Sequence, residues 1–292
     1  MIDEIKSYTA KEFLPNDNLF GCLHPSYIYN KNTGHYETVP CKKCTYCVNV
    51  EASKQSRRVR EEIKQHLYSV MFTLTYDNEY IPRMEAFAGK HGEMQIRPIG
   101  RTKELHNCCP FNSKDFNGEY RFNDDTRIPW IEKNKIVWKN NIQFATVSKK
   151  DIQNFLKRLR KKIDNLNIPQ NEKKIRYYIA SEYGPTTLRP HYHGILFIDS
   201  AEVLSKIKDF IVDSWGLWVK KKGTFNKYEF KPFADTFLTA DNINICNPNT
   251  AFYIAEYVAG NLGLPEVLRE RCTRPFHLQS KNPVIGEFKN SK

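Results

Sequence analysis

The sequence predicts an α+β fold, a central antiparallel sheet of split βαβ topology with its helices on one face, preceded by a Cys-rich N-terminal segment. Three observations lead there. Runs at 70–76, 175–182 and 191–199 carry the alternation or the β-forming residues of strands. Two stretches, 149–163 and 203–215, repeat apolar residues at helical spacing. Four cysteines, Cys22, Cys41, Cys44 and Cys47, fall before all of these.

Taken in order, residues 1–66 hold the cysteines and then EASKQSRRVREEIKQHL, a polar helix with Val48, Val59, Ile63 and Leu67 toward the body. VMFTLTY at 70–76 is the first strand of a second region, 67–262. A long insertion, 77–147, follows it, and its end, IQFATV, adds a candidate strand. Ser148-Lys-Lys-Asp151 resembles a capping box, so the helix begins at about 149, with Ile152, Phe155, Leu156, Leu159 and Ile163 on its apolar face. IRYYIASE and HYHGILFID flank the turn-rich YGPTTLRP and read as a hairpin. Val203, Leu204, Ile207, Phe210, Ile211 and Trp215 mark the second helix, and INIC at 243–246 the last strand. The order β-α-β-β-α-β is the split βαβ arrangement. Residues 263–292 read as a Pro-containing basic tail.

Composition limits the function. With 292 residues, 40% hydrophobic and 13% aromatic, the chain can bury a full core. A formal charge of +12 favours a polyanionic partner. No apolar run approaches the roughly 18 residues of a membrane span, and the start lacks a secretory layout. The expected location is a cytoplasm, where eight cysteines read as thiols or metal ligands.

In HYHGILF, His191 and His193 are two apart on a strand and so project from one face, about 7 Å apart along the chain. Glu182 ends the facing strand, so one carboxylate and two imidazoles converge. That donor set leaves coordination positions open for water or a phosphate oxygen. Polar side chains at the central rungs of an apolar hairpin need a partner. Further on, AFYIAEYVAG (251–260) has the residue types of a short helix behind Asn249 or Thr250, which puts Tyr253 and Tyr257 on one face. A tyrosine hydroxyl is a poor nucleophile toward a phosphodiester unless a cation draws charge off the phosphate. A metal held by Glu182, His191 and His193 supplies that. Two tyrosines then act in turn, one opening a strand and one resolving the intermediate.

With these residues the sequence resembles the HUH superfamily of replication initiators, in particular those of the gokushoviruses, single-stranded DNA phages of the Microviridae. FTLTY (72–76) is similar to the first motif, EYGPTTLRPHYHGILF (182–197) to the metal motif and YIAEYVAGN (253–261) to the tyrosine motif, with VPCKKCTYC before them. The resemblance covers most of residues 22–262 and implies a ferredoxin-like HUH endonuclease domain. It also implies Mg²⁺ or Mn²⁺ at Glu182, His191 and His193, with Tyr253 or Tyr257 nicking an origin in single-stranded or supercoiled DNA. The products are a 5′-phosphotyrosine and a 3′-OH primer for rolling-circle replication. One departure is plain: Glu256 and Gly260 stand where that group commonly has lysines.

Cys22, Cys41, Cys44 and Cys47 offer the four thiolates of a structural zinc site, with an iron–sulfur cluster as an alternative. Cys108, Cys109, Cys246 and Cys272 show no ligand spacing. Basic residues Arg57, Arg58 and Arg60, and Lys157, Arg158, Arg160 and Lys161 beside Lys149 and Lys150, are candidate phosphate contacts. No GxxxxGK[ST] sequence occurs, so strand separation calls for a host helicase, and synthesis for a host polymerase. Two other readings stay open: an HUH transposase or plasmid initiator, and a non-catalytic nucleic-acid-binding protein that uses the sheet as a stacking platform.

Overall fold

The computed structural model describes residues 21–42, 44–91, 93–101, 111–114, 120–122, 130–132, 135–137, 142–185, 187–246 and 264–287. The expected helix over 251–260, with Tyr253 and Tyr257, lies outside these residues, as do Cys108 and Cys109. The chain is mixed α and β with antiparallel sheets, and divides into two compact units, Met1–Gln55 and Ser56–Lys292.

The first unit holds a two-stranded ribbon, β1 (Ser26–Asn30) and β2 (His35–Val39), and the start of helix α1 (Thr45–Ile63). The turn between the strands needs Gly34 in a left-handed conformation, φ 72°, from which its N–H donates to Asn30 O at 2.9 Å. Few apolar side chains are hidden here. Among the described residues 21–55 the buried ones are Cys47 and Ala52.

The second unit is built on β3 (Tyr68–Leu74). After it come β4 (Arg83–Ala88), β5 (Met94–Gly100), two short hairpins, β6 (Phe111–Lys114) with β7 (Tyr120–Phe122) and β8 (Trp130–Glu132) with β9 (Lys135–Val137), and β10 (Ile142–Ala145). The expected insertion thus carries its own three-stranded sheet, in the order β10-β4-β5, and its end is a strand as read. Then follow α2 (Lys149–Asp164), β11 (Ile175–Tyr183), β12 (Pro190–Ile198), α3 (Ala201–Val212), β13 (Gly216–Lys220), β14 (Tyr228–Pro232), α4 (Thr236–Asp241), β15 (Ile243–Ile245) and β16 (His277–Gln279).

The main sheet runs β15-β3-β12-β11-β16, every neighbouring pair antiparallel. Strand alternation sorts its side chains onto two faces. Val70, Phe72 and Leu74 of β3, Ile179 of β11 and Leu196 and Ile198 of β12 face one core, with Ile152, Phe155, Leu156, Leu159 and Ile163 of α2 and Val203, Ile207 and Ile211 of α3. Tyr178, Ala180, Ile195 and Phe197 face the other way and meet Val59, Ile63 and Ile285. Gly194 on β12 is required by close packing. A Cβ there would sit 2.2 Å from the buried Phe72 ring.

Ser148 caps α2 as the sequence predicts, accepting from Asp151 N at 3.2 Å. Two expectations need correction. Leu67 does not reach the body: α1 stops at Ile63, and Leu67 is 73% exposed in the link to β3. Nor is 263–292 only a tail, since β16 forms the sheet edge and Ile285 is fully buried. Three residues are too few to print a strand period.

Candidate metal centre

The antiparallel register of β11 and β12 sets Glu182 directly opposite His191, and His193 opposite Ala180 on one side and Thr73 of β3 on the other. Glu182, His191 and His193 alternate onto the sheet face away from α2 and α3, near the end of the hairpin. Glu182 Oε2 lies 3.1 Å from His191 Nε2 and 3.2 Å from His193 Nε2, and the rings stand edge to face at 4.9 Å between centroids. One ligand atom from each lies within 4.8 Å of the others.

Each ring is held from behind. His191 Nδ1 donates to the Arg189 carbonyl at 3.0 Å, and a neutral ring so protonated keeps its lone pair on Nε2. His193 Nδ1 bonds Thr73 Oγ1 at 3.0 Å. Such outer contacts fix the tautomer and aim of a ligating imidazole. Arg189 is in turn tied to the chain just after β3, donating to Asn78 Oδ1 at 2.7 Å and to the Tyr76 carbonyl. Thr73 was missed by sequence reasoning, although it sits inside FTLTY as a polar residue between buried Phe72 and Leu74.

The electrostatics suit a cation. Burial pushes the Glu182 carboxyl up, but its contacts with His191 and His193 outweigh that and hold it down at about 2. Burial, against the pull of Glu182, keeps His193 below the ordinary histidine range. The group therefore presents one carboxylate and a neutral imidazole at neutral pH, a donor set that accepts a divalent ion and leaves positions open.

In the first unit the Sγ atoms of Cys22, Cys41, Cys44 and Cys47 also lie within 4.8 Å of one another. Cys41 N–H points at Cys22 Sγ and Cys44 N–H at Cys41 Sγ, both at 3.3 Å, so backbone donors offset thiolate charge. Four converging sulfurs match the donor number of a closed metal site. Cys246 packs against the sheet core, and Cys272 is exposed.

The basic candidates divide. Arg57, Lys157, Arg160 and Lys161 remain open to solvent to the extent that Arg57, Lys157 and Lys161 do not pack inward, while Arg58 and Arg60 are half-buried. Arg158 is occupied inside the fold, donating to Ser214 O at 2.9 Å and Gly216 O at 2.7 Å, with Phe230 beneath it. It joins α2 to the turn after α3, and so is not a phosphate contact in this arrangement.

Residues 138–261 match a family model described as Replication-associated protein ORF2. The Replication-associated protein VP4 of Bdellovibrio phage phiMH2K is 22% identical over 259 residues. The chain is similar to phage replication-associated proteins. That alignment takes in 85% of this chain and 56% of the phage protein, so the chain spans about half of its relative's length. No solved structure matches the chain. Among the described residues, no helix is long and apolar enough to cross a membrane.

Proposed function

We propose that the chain is a replication initiator of the HUH tyrosine type, which nicks and rejoins single-stranded or supercoiled DNA at an origin. The observation that carries this is the convergence of Glu182, His191 and His193 on one sheet face, inside the segment similar to replication-associated proteins. The fold reading goes with it. Taken without β16, the order β15-β3-β12-β11, with α2 and α3 on one face, supports a ferredoxin-like split βαβ domain with an insertion at 77–147.

Glu182, His191 and His193 hold a Mg²⁺ or Mn²⁺ ion, Glu182 supplying charge and the imidazoles neutral nitrogen donors. When bound, such an ion acts as a Lewis acid, drawing charge from a phosphate oxygen and orienting the phosphodiester. Thr73 and the Arg189 carbonyl keep the two rings aimed. Tyr253 or Tyr257 loses its phenolic proton and attacks phosphorus through Oη. The P–O3′ bond breaks, leaving a 5′-phosphotyrosine and a 3′-OH primer. The second tyrosine, or the released 3′-OH, reverses the linkage and rejoins the strand. Both tyrosines fall within the matched segment by number.

Cys22, Cys41, Cys44 and Cys47 hold a structural zinc ion. Arg57, Arg58, Arg60, Lys157, Arg160 and Lys161 supply phosphate contacts, and a bacterial host's cytoplasm supplies helicase and polymerase. The test is a denaturing gel after incubation of the full chain with single-stranded origin DNA and Mn²⁺. A covalent adduct that is lost in Glu182→Gln and in Tyr253→Phe/Tyr257→Phe is expected. An adduct that survives loss of both tyrosines, or none from the unaltered chain, overturns the reading.

A further inference from the structure

Hairpin β13–β14 was not legible as a site in the sequence, and the metal chemistry does not use it. Its exposed surface is unusual for a solvated ribbon: Trp218 is 60% exposed, Tyr228 59% and Phe225 87%. Large aromatics left in water on one element mark a surface that meets a partner. Register sets Trp218 opposite Phe230 and Lys220 opposite Tyr228, so these four share one face. The Trp218 and Phe230 rings touch edge to face at 5.5 Å, which holds the indole in place with most of its surface open.

The charge says what the partner is. Lys220, Lys221, Lys222, Lys227 and Lys231 fall within residues 216–232, where Glu229 is the one acid, and Glu229 pairs with Lys231 at 3.1 Å. The other four lysines are exposed, and among the described residues none of them enters an ion pair. Aromatic faces interleaved with lysines match a strand whose bases are unpaired: bases stack on rings while phosphates meet ammonium groups. Duplex DNA keeps its bases stacked inside and offers no base face to Trp218 or Tyr228.

The hairpin is also rigidly rooted at the right end of the sheet. Trp215, just before β13, donates from Nε1 to Thr75 O at 2.5 Å. Phe233, just after β14, accepts from Asp77 N–H at 2.6 Å and donates to Trp215 O at 3.1 Å. Arg158 grips the Ser214 and Gly216 carbonyls. Thr75 is two residues, about 7 Å, beyond the Thr73 that steadies His193. From that root five strand residues carry the ribbon outward by roughly 15 Å.

We infer that β13–β14 is a single-stranded DNA grip, in which Trp218 and Tyr228 stack on unpaired bases and Lys220, Lys221, Lys222 and Lys227 take the flanking phosphates. That the strand is DNA rests on the proposed initiator reading; the grip itself needs no metal and no tyrosine nucleophile.

The test is fluorescence anisotropy of the full chain with a labelled oligothymidylate of roughly 15 nucleotides, in EDTA, across a salt series. Trp218→Ala/Tyr228→Ala should weaken binding at least about tenfold with unchanged thermal unfolding, Trp218→Phe should restore most of it, and a duplex of equal length should bind the variant and the unaltered chain alike. Lys220→Ala/Lys221→Ala/Lys222→Ala should lower the salt slope by about two. Aromatic variants that hold the oligonucleotide as tightly as the unaltered chain overturn the inference and assign the surface to a protein partner. The covalent-adduct assay reads the initiator proposal separately, because the binding assay runs without divalent ions.

Discussion

At the scale of single residues, the candidate centre depends on groups that are not themselves ligands. Thr73 Oγ1 holds Nδ1 of His193, and its isostere valine keeps the volume while removing the bond. Thr73→Val should fold normally yet bind Mn²⁺ about 10–100-fold more weakly by calorimetry, as expected when an outer contact to a ligating histidine is lost. Equal affinity would show that the ring needs no such support. The ligands were readable because an H-x-H pair has one geometry on a strand. Thr73 was not, because its partner is 120 residues away and only the sheet register joins them.

A second buried group, at the other end of the same strands, gives a pH signature. Burial pushes Glu62 up, but His66, Arg176 and the Gly286 N–H outweigh it and hold it at about 2. Its stabilising contribution is complete above the ordinary value of 4.5 and is lost as pH falls from there toward 2. His66 is opposite in sign. Burial pulls its pKa down, Glu62 and Asp199 overcome this, and the net rise means stability present below 6.5 is lost as pH climbs past it. Urea unfolding should therefore show greatest resistance between these limits. Glu62→Gln should cost about 3 kcal/mol there, since Arg176 loses its buried partner, and should flatten the acid limb. An acid limb unchanged in the variant would remove Glu62 as its source.

At the scale of elements, α2 was legible almost to its ends: expected over 149–163 and found as Lys149–Asp164, because cap and apolar period agree. The hairpin of β11 and β12 was equally plain, as both strands are long and buried. What failed was function along α2. KRLRKK looks uniformly cationic, yet the helical twist turns Arg158 inward while Lys157 and Lys161 stay in water. Arg158→Ala should thus lower stability by about 2–3 kcal/mol, from two carbonyls losing a charged donor, and leave the salt dependence of DNA binding unchanged. Lys157→Ala or Lys161→Ala should do the reverse, each lowering the salt slope by about one at no cost in thermal stability. A shallower salt slope for Arg158→Ala would return it to the phosphate contacts. The β13–β14 ribbon escaped notice because half of each strand is solvated, so its alternation mixes aromatic with lysine instead of apolar with polar.

At the scale of the whole molecule, the two units are stabilised by different means, and this sets their response to metal removal. The second unit has a broad apolar core, from Val70 and Phe72 through Leu159 to Ile211. Neither Glu182 nor its histidines is needed to fill it. The first exposes Tyr27, Ile28, Tyr29 and Tyr36 on a two-stranded ribbon and buries almost nothing. A segment so small cannot offset its chain entropy by apolar burial, so the Cys22, Cys41, Cys44 and Cys47 group must contribute through a bound ion. This part was legible as a donor set but not as a fold, since β1 and β2 owe their pairing to a ribbon too short to show a core pattern. The purified chain should carry about one zinc ion by elemental analysis. Stripping it with a high-affinity chelator should open 21–55 to protease while 56–287 resists cleavage and keeps its thermal transition. Cys47→Ser should give the same pattern without chelator. If the stripped chain is cut no faster in 21–55 than the zinc-loaded one, the cysteine group is not what holds that unit together.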